Sequence, residues 1–327
     1  MPEENMPHYD SVEELPSEYQ SLMQSRRWDA GEGIFFARQL EHIKAKSYDK
    51  KYPFLKARRL IPLNLDADPG AETITYEQYD QVGMAKIIAN YADDLPRADV
   101  RGKEFTSKVR SIASAYGYNI QEIAAARMAG KPLVARKANA AKRANLIIEN
   151  SIAWKGDAVH GLGGFLNNPN ITEVVLAADG TGNSKKWANK TNDQIVRDAV
   201  SLATQVHQIS KGTEVVDTLL LPIETWDLIS NARLPNTGIS VREWILSKNP
   251  HIKRIDWLTE LETAGAGGTT RMVAYRYDPD AVTLEIPEDY RQMPVQERNL
   301  EFVVNTHQRC GGVLFYYPLS VAYADDI

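Results

Sequence analysis

The chain has 327 residues, 43% hydrophobic and 25% charged, an ordinary globular composition with length for a sizeable core and room for two domains. A net charge of -5 and a pI near 5.8 argue against a dedicated nucleic-acid binder, which carries a basic excess, though not against a protein that encloses DNA without gripping it. The single cysteine, Cys310, excludes an internal disulfide framework, no apolar run reaches the roughly 18 residues of a membrane helix, and the acidic opening MPEENMPHYD is not a signal peptide.

From the N-terminus, SVEELPSEYQSLMQS reads as a short amphipathic or irregular arm, and GIFFARQLEHIKAK as a short helix or an extended run. Leu60, Pro62 and Asn64 then alternate, Asp68-Pro69-Gly70 makes a turn, and Thr73 to Tyr76 are β-prone. This predicts two extended strands joined at Asp68–Gly70. The stretch is basic (Lys50, Lys51, Lys56, Arg58, Arg59) and poor in large apolar residues. A hairpin with so little to bury must lie on something else.

GMAKIIANYADDLPRADV is half apolar and ends in a proline turn. In EFTSKVRSIASAYGYN the apolar spacing fits a helix, yet the Ser, Thr and Tyr content and Gly117 favour a strand, which is the reading taken. Asn119 with Glu122 makes a capping box for a helix through Ala129, stopped by Gly130 and Pro132. The next helix, LVARKANAAKRANLIIENSIAWKG, is the longest. Val134, Ala138, Ala141, Ile148 and Ile152 recur on one face, and Gly156 ends it.

Beyond it the texture is α/β. Thr191 and Gln194 cap a helix carrying Ile195, Ala199, Leu202, Val206 and Ile209, closed by Gly212. VVDTLLLP is a buried strand, IETWDLISNA a short helix, and Ser240 with Glu243 caps VREWILSK. IKRIDWL and RMVAYRY are strands around the loop ETAGAGGTT. LEFVVNTHQ and VLFYYPLSVAYA are two long strands with Arg309–Gly312 between them.

Three stretches invite a chemical reading. KGDAVHGLGGFLNNP has clustered glycines, but a dinucleotide fingerprint needs a strand before them and a helix after, and here a helix precedes. Its glycines are better read as supplying unusual backbone angles or close contacts. Asp93, Asp94 and Asp99 have no histidine at ligand spacing and read as turn formers. His307 and Cys310 do not by themselves make a nucleophile–base pair, and His8, His42, His160, His207 and His251 are scattered. No catalytic residue, cofactor site or metal site is assigned.

The order of the pieces is more informative than any one of them. An arm and hairpin end in YDQVGMAK, and YADDLPRAD precedes a strand. QEIAAARMAGKPLVARKANAAKRA leads into the long helix, and KGDAVHGLGGFLNNPNI follows. TLLLPIETWDLI, SVREWILSKNPHIKRIDWLTEL and YRYDPDAVTLEIPEDY come next, and HQRCGGVLFYYPLSVAYADDI closes. This series resembles the major capsid proteins of tailed bacteriophages, the Hong Kong ninety-seven type fold shared with encapsulin shells. The resemblance implies an α+β capsid fold: an N-terminal arm over 1–47, an extended loop over 48–83, a peripheral domain over 84–160 and 298–327 with the long helix as its spine, and an axial α/β domain over 161–297. Gly156, Gly161, Gly163, Gly164, Gly311 and Gly312 would be structural turn and packing residues. Lys50, Lys51, Lys56, Arg58 and Arg59 would meet acidic groups of a neighbouring subunit.

The resemblance further implies a protein without catalytic activity. It would ring into hexamers and pentamers and close an icosahedral virion shell, assembled in the host cytoplasm, around double-stranded DNA held without sequence specificity. The partners implied are the protein itself, a portal and decoration proteins, with no membrane. Because only a short arm precedes the loop, a separate scaffolding protein, or none, is expected. No lysine crosslink is predicted. Two rival readings stand beside it: an encapsulin-like nanocompartment around a cargo enzyme, and a soluble α/β enzyme built on the region from Lys155 to Asp280.

Overall fold

The computed structural model describes residues 50–82, 98–235 and 237–327. By contacts the chain divides into a unit over Met1–Pro53, of which only the exposed residues 50–53 are described, and a unit over Phe54–Ile327. The arm expected over 1–47 and the turn at Asp93 and Asp94 lie outside the described residues.

The second unit mixes helices with mainly antiparallel sheets. It begins with a one-turn helix, α1 (Ala57–Leu60), and a short strand, β1 (Leu63–Asn64). Two ten-residue strands, β2 (Thr73–Val82) and β3 (Asp99–Lys108), pair with each other in register from Thr73 opposite Lys108 to Val82 opposite Asp99. This corrects the hairpin expected across Asp68–Gly70. Leu63 and Asn64 instead pair in parallel with Leu284 and Glu285. The reason is burial: Ala57, Leu60 and Ile61 are almost wholly inside, so the chain before the turn belongs to the core.

Strand β4 (Arg110–Asn119) follows directly, in keeping with the strand reading of this stretch, and runs into α2 (Ile120–Met128). The Asn119 side chain accepts from the Glu122 amide at 2.7 Å, and the Glu122 carboxylate accepts from the Asn119 amide at 3.1 Å. The long helix α3 (Leu133–Lys155) ends at Gly156, whose φ of 68° breaks the helical path.

A five-stranded sheet holds β5 (Thr172–Glu173), β6 (Thr218–Leu221), β7 (Arg254–Trp257), β8 (Arg271–Tyr275) and β14 (Val321–Asp325), in the order β5-β14-β8-β6-β7. Its two faces feed two cores, as the period of two in a strand requires. Leu220, Val273, Tyr275, Val321 and Tyr323 join Trp154, Phe165 and Phe315 in one cluster. Leu219, Leu221, Met272, Ala274 and Ala322 join α4 (Asn192–Ile209), α5 (Ile223–Asn231) and α6 (Val241–Lys248) in the other. Of the two capping boxes expected here, Thr191–Gln194 forms in both directions, while at Ser240 only the half in which its hydroxyl accepts from the Glu243 amide forms.

The remaining strands are β9 (Val282–Glu285), β10 (Glu288–Gln292), β11 (Gln296–Arg298), β12 (Glu301–Cys310) and β13 (Gly312–Phe315). β12 pairs along its full ten residues with β4, and on its other side with β10 and then β11. β13 pairs with β9. The last expected strand is thus two, because the turn at Pro318–Ser320 interrupts it and a proline has no N–H for a ladder. The two halves join different sheets. β14 enters the five-stranded sheet, while β10, counted by sequence with the axial segment, pairs with β12. The sheets therefore cross the expected boundaries at 161 and 298.

Candidate functional site

The β2–β3 ribbon is rooted at one end only. The Tyr76 ring stacks on Phe105 at 5.2 Å and meets Tyr316 edge-on at 4.9 Å, and its hydroxyl donates to the Phe315 carbonyl at 3.1 Å. The Ser107 hydroxyl donates to the Gly311 carbonyl at 3.2 Å. Beyond this root, residues 77–81 and 98–104 are all exposed. The Tyr79 ring lies over Gly102, where a Cβ would come within 3.0 Å of the ring, yet Tyr79 and Val100 remain 64% and 58% exposed. Among the described residues the ribbon has two strands and no covering element. Open edges and exposed aromatic surface of this kind invite pairing with another chain.

The segment before the ribbon is pinned to α3 by buried polar groups. Glu149, 2% exposed at its side chain, accepts from Arg58 Nε at 2.6 Å and Nη2 at 2.7 Å, and also from the Gln308 amide. Arg58 reaches on to Asp289 at 2.7 Å, so it ties α1, α3 and β10 together. This contact holds the Asp289 carboxyl below its ordinary range, while the carboxylates raise the Arg58 guanidinium. Asn150 Oδ1 accepts from the Ala57 amide and from Trp154 Nε1, each at 3.1 Å. Lys56 donates to Asp256 at 3.1 Å and to the Trp257 carbonyl at 2.6 Å, with its ammonium 3.0 Å from the Trp257 ring centre. Burial is the largest single influence on Asp256 and pushes it up, but the bonds from Lys56 and the Trp257 amide, together with the charges of Lys56 and Arg59, bring the net shift downward.

The basic residues read from the sequence therefore separate. Lys56 is 6% exposed and spent within the chain, which removes it as a contact to a neighbour. Arg58 and Arg59 have internal carboxylate partners, Glu149 with Asp289 and Asp256 respectively. Lys50 and Lys51 are exposed, and the Lys50 ammonium lies 5.9 Å from the Tyr52 ring. Glu149 was missed because the apolar spacing pointed to Ile148, which is 47% exposed. The stripe that packs is Ala141, Asn145, Glu149 and Ile152, continuous at the same three-to-four spacing but half polar.

The glycine loop folds back on the end of α3. Phe165 N donates to the Ala153 carbonyl at 2.8 Å and Leu166 N to that of Trp154 at 2.9 Å, while Asp157 and Leu162 exchange backbone bonds at 2.9 Å. A Cβ on Gly164 would come within 2.3 Å of Gly156 N, and one on Gly312, at φ 75°, within 2.7 Å of the Gly163 carbonyl. Gly156 and Gly161 also have positive φ, while Gly163 lies close to the Val313 carbonyl and Gly311 close to the side chains of Glu285 and Ile74. The amides of Asp157, Val159, His160, Leu162, Phe165 and Leu166 all donate within the loop or back to the end of α3.

Cys310 is buried, accepts from the Gly312 amide at 3.4 Å, and has its thiol pushed up to about 12 by burial. His307 pairs with Glu288 at 2.7 Å, not with Cys310. His160 pairs with Asp157, and His207 lies against His251. Asp99 accepts from the Val100 amide. Among the described residues no group of three or more His, Cys, Asp or Glu is placed to hold a metal, and no helix is long and apolar enough to cross a membrane.

A family model described as major capsid protein matches residues 83–327. The fold is similar to the capsid of the Myoviridae phage XM1, at 17% identity and a TM-score of 0.77 over 90% of this chain and 99% of that one. It is also similar to the capsid of a native GTA particle (9% identity, TM-score 0.64, 91% and 99% covered). A virus-like particle from Pyrococcus furiosus is more distant (10% identity, TM-score 0.51, 82% and 91% covered). No curated protein matches the chain.

Proposed function

The chain belongs to the major capsid protein family, and from that premise we propose that it closes, as hexamers and pentamers, into an icosahedral shell around double-stranded DNA. A major capsid protein is a structural component of the virion and not an enzyme, which disposes of the soluble-enzyme reading. The single observation carrying the proposal is the family match, which spans β3 to the C-terminus. The GTA capsid it resembles was computed with C5 symmetry. Closed assemblies reuse one surface against several neighbours, and many weak contacts sum to a stable shell. A mildly acidic subunit suits a wall that must not bind DNA tightly.

In this reading β2 and β3 belong to the extended loop that lies over a neighbour, in place of the 48–83 span. The α3 spine with β4, β10, β11 and β12 forms the peripheral part, and the five-stranded sheet with α4 to α6 the axial part. Scaffolding, portal and decoration proteins would be further partners, and host cytoplasm the place of assembly. An encapsulin-like compartment is the second reading, supported by the likeness to the virus-like particle but at a lower TM-score than the phage capsid.

The test replaces residues 77–104 by an Asn-Gly turn, which joins the directly opposed Tyr76 and Phe105. The subunit should stay soluble with near-normal circular dichroism and form no closed particles by electron microscopy and sedimentation. Shells of normal size from this variant would overturn the proposal. Nucleic acid inside wild-type particles separates a virion from a cargo compartment.

A further inference from the structure

Two recesses of opposite charge flank the ribbon. Along β2 lies one of about 690 Å³, lined by Asp66, Glu77, Asp280, Tyr79, Tyr316 and Tyr317, with no basic side chain among its described lining residues. Directly across the strand pair from Glu77 stands Glu104, on the same face. Like charges set opposite each other destabilise a strand pair. Neither carboxylate has a cation partner among the described residues, and Glu77 accepts only from the Tyr79 hydroxyl. Nothing among the described residues explains this pair.

At the ribbon's root, along the end of β3, lies a recess of about 370 Å³ lined by Lys108, Arg110, Arg309, Ser111 and one carboxylate, Glu72. Here the three cations lack carboxylate partners among the described residues. Arg110 Nε donates to the His160 carbonyl, Arg309 Nη1 donates to the Pro69 carbonyl, and Arg309 Nε is buried with no hydrogen-bond partner. Lys108 reaches no carboxylate and lies beside Gly161. The two patches cannot neutralise each other within one chain: Lys108 and Glu104 are four residues apart on a straight strand, about 13 Å at ~3.3 Å per residue.

We propose that these patches are the two halves of one head-to-tail contact, in which the ribbon of one copy sets Glu77 and Glu104 against Lys108, Arg110 and Arg309 of the next. The inference rests on the shell reading above and names the partner surface of its extended loop. A heterologous ring needs two different, complementary patches on every subunit, and among the described residues this chain carries an acid pair without a cation partner on β2 and β3 and, at the ribbon's root, three cations that outnumber the one carboxylate beside them. A second copy is preferred to a DNA phosphate as the occupant because every copy carries, on its own ribbon, the acidic pair that complements this recess. A short contact between charges that are half in water is screened by salt, so assembly should weaken as ionic strength rises.

Charge reversal in the full-length chain tests this. Glu77→Lys with Glu104→Lys, and separately Lys108→Glu with Arg110→Glu, should each leave subunits with wild-type circular dichroism that form no closed particles. All four changes in one chain should restore particles. The milder pair Glu77→Gln with Glu104→Gln should flatten the salt dependence of assembly. The inference is overturned if the fourfold variant assembles no better than either pair, if the lysine pair yields normal shells, or if the glutamine pair leaves the salt dependence unchanged. Normal shells with less DNA from Lys108→Glu with Arg110→Glu would also overturn it, by making the recess a phosphate site. Loss of shells on removing residues 77–104, with silent charge reversals, would sink this inference and leave the shell reading standing.

Discussion

Arg58→Ala should destabilise the folded subunit far more than a surface ion pair would. Glu149 is 2% exposed and receives both Nε and Nη2 of Arg58. Without the guanidinium it keeps, among the described residues, the Gln308 amide as its one remaining side-chain donor. Breaking a buried pair by removing one partner costs roughly 3–5 kcal/mol, because the other charge is left uncompensated. Exposed pairs cost only about 0–1 kcal/mol. Arg58 is itself 33% exposed, so water can enter the space it leaves, and the low end, ~3 kcal/mol, is the expected loss. At an unfolding entropy of ~2.1 cal/mol/K per residue, a chain of 327 residues shifts about 1.5 °C per kcal/mol, so the melting temperature should fall by roughly 4–5 °C. The assay is thermal circular dichroism of unassembled subunits, with Glu149→Gln and the double variant completing a cycle. The double variant should be more stable than Arg58→Ala alone, since it removes the orphaned charge. A loss below about 1 kcal/mol, or no recovery in the double variant, would refute the reasoning.

Gly164→Ala should cost about 3 kcal/mol, the upper end of overpacking, because its Cβ would meet the backbone of Lys155 and Gly156 at 2.4 and 2.3 Å; a denaturant titration measures it. Cys310 should resist thiol reagents in native subunits at pH 8 and react fully after denaturation, and Cys310→Ser should still form particles under the microscope. Asp179 is pulled down to about 2, first by Arg197 and then by Lys190, and Asp289 is lowered by Arg58. Folded values below the unfolded one give stability that is present above about pH 4 and lost as pH falls toward about 2. The melting temperature should therefore drop across that window, and Arg197→Ala should shrink the drop.

Local signals carried far in this chain. The cap pairs Asn119–Glu122 and Thr191–Gln194 form as read, because a cap is settled within four residues. Gly156 and Gly212 end their helices with positive φ, and the alternation in RMVAY sorts Met272 and Ala274 from Val273 and Tyr275. The ordered series of such pieces was enough to point to the capsid family.

The tertiary structure decided the pairings. Thr73–Val82 could not be matched to Asp99–Lys108 from sequence, because a strand's partner is chosen by what else can be buried, not by the nearest turn. Once Leu60 and Ile61 enter the core, the chain before Asp68 is no longer available to the ribbon. The same holds for charge. Lys56, Arg58 and Arg59 look like a free basic stripe in sequence, and their partners Asp256, Glu149 and Asp289 lie from about 90 to more than 230 residues away. Lys108, Arg110 and Arg309, in contrast, draw no attention in the sequence and come together only because β12 pairs with β4 beside the ribbon's root. Coulomb attraction depends on distance and on exclusion of water, and neither exists until the chain has folded.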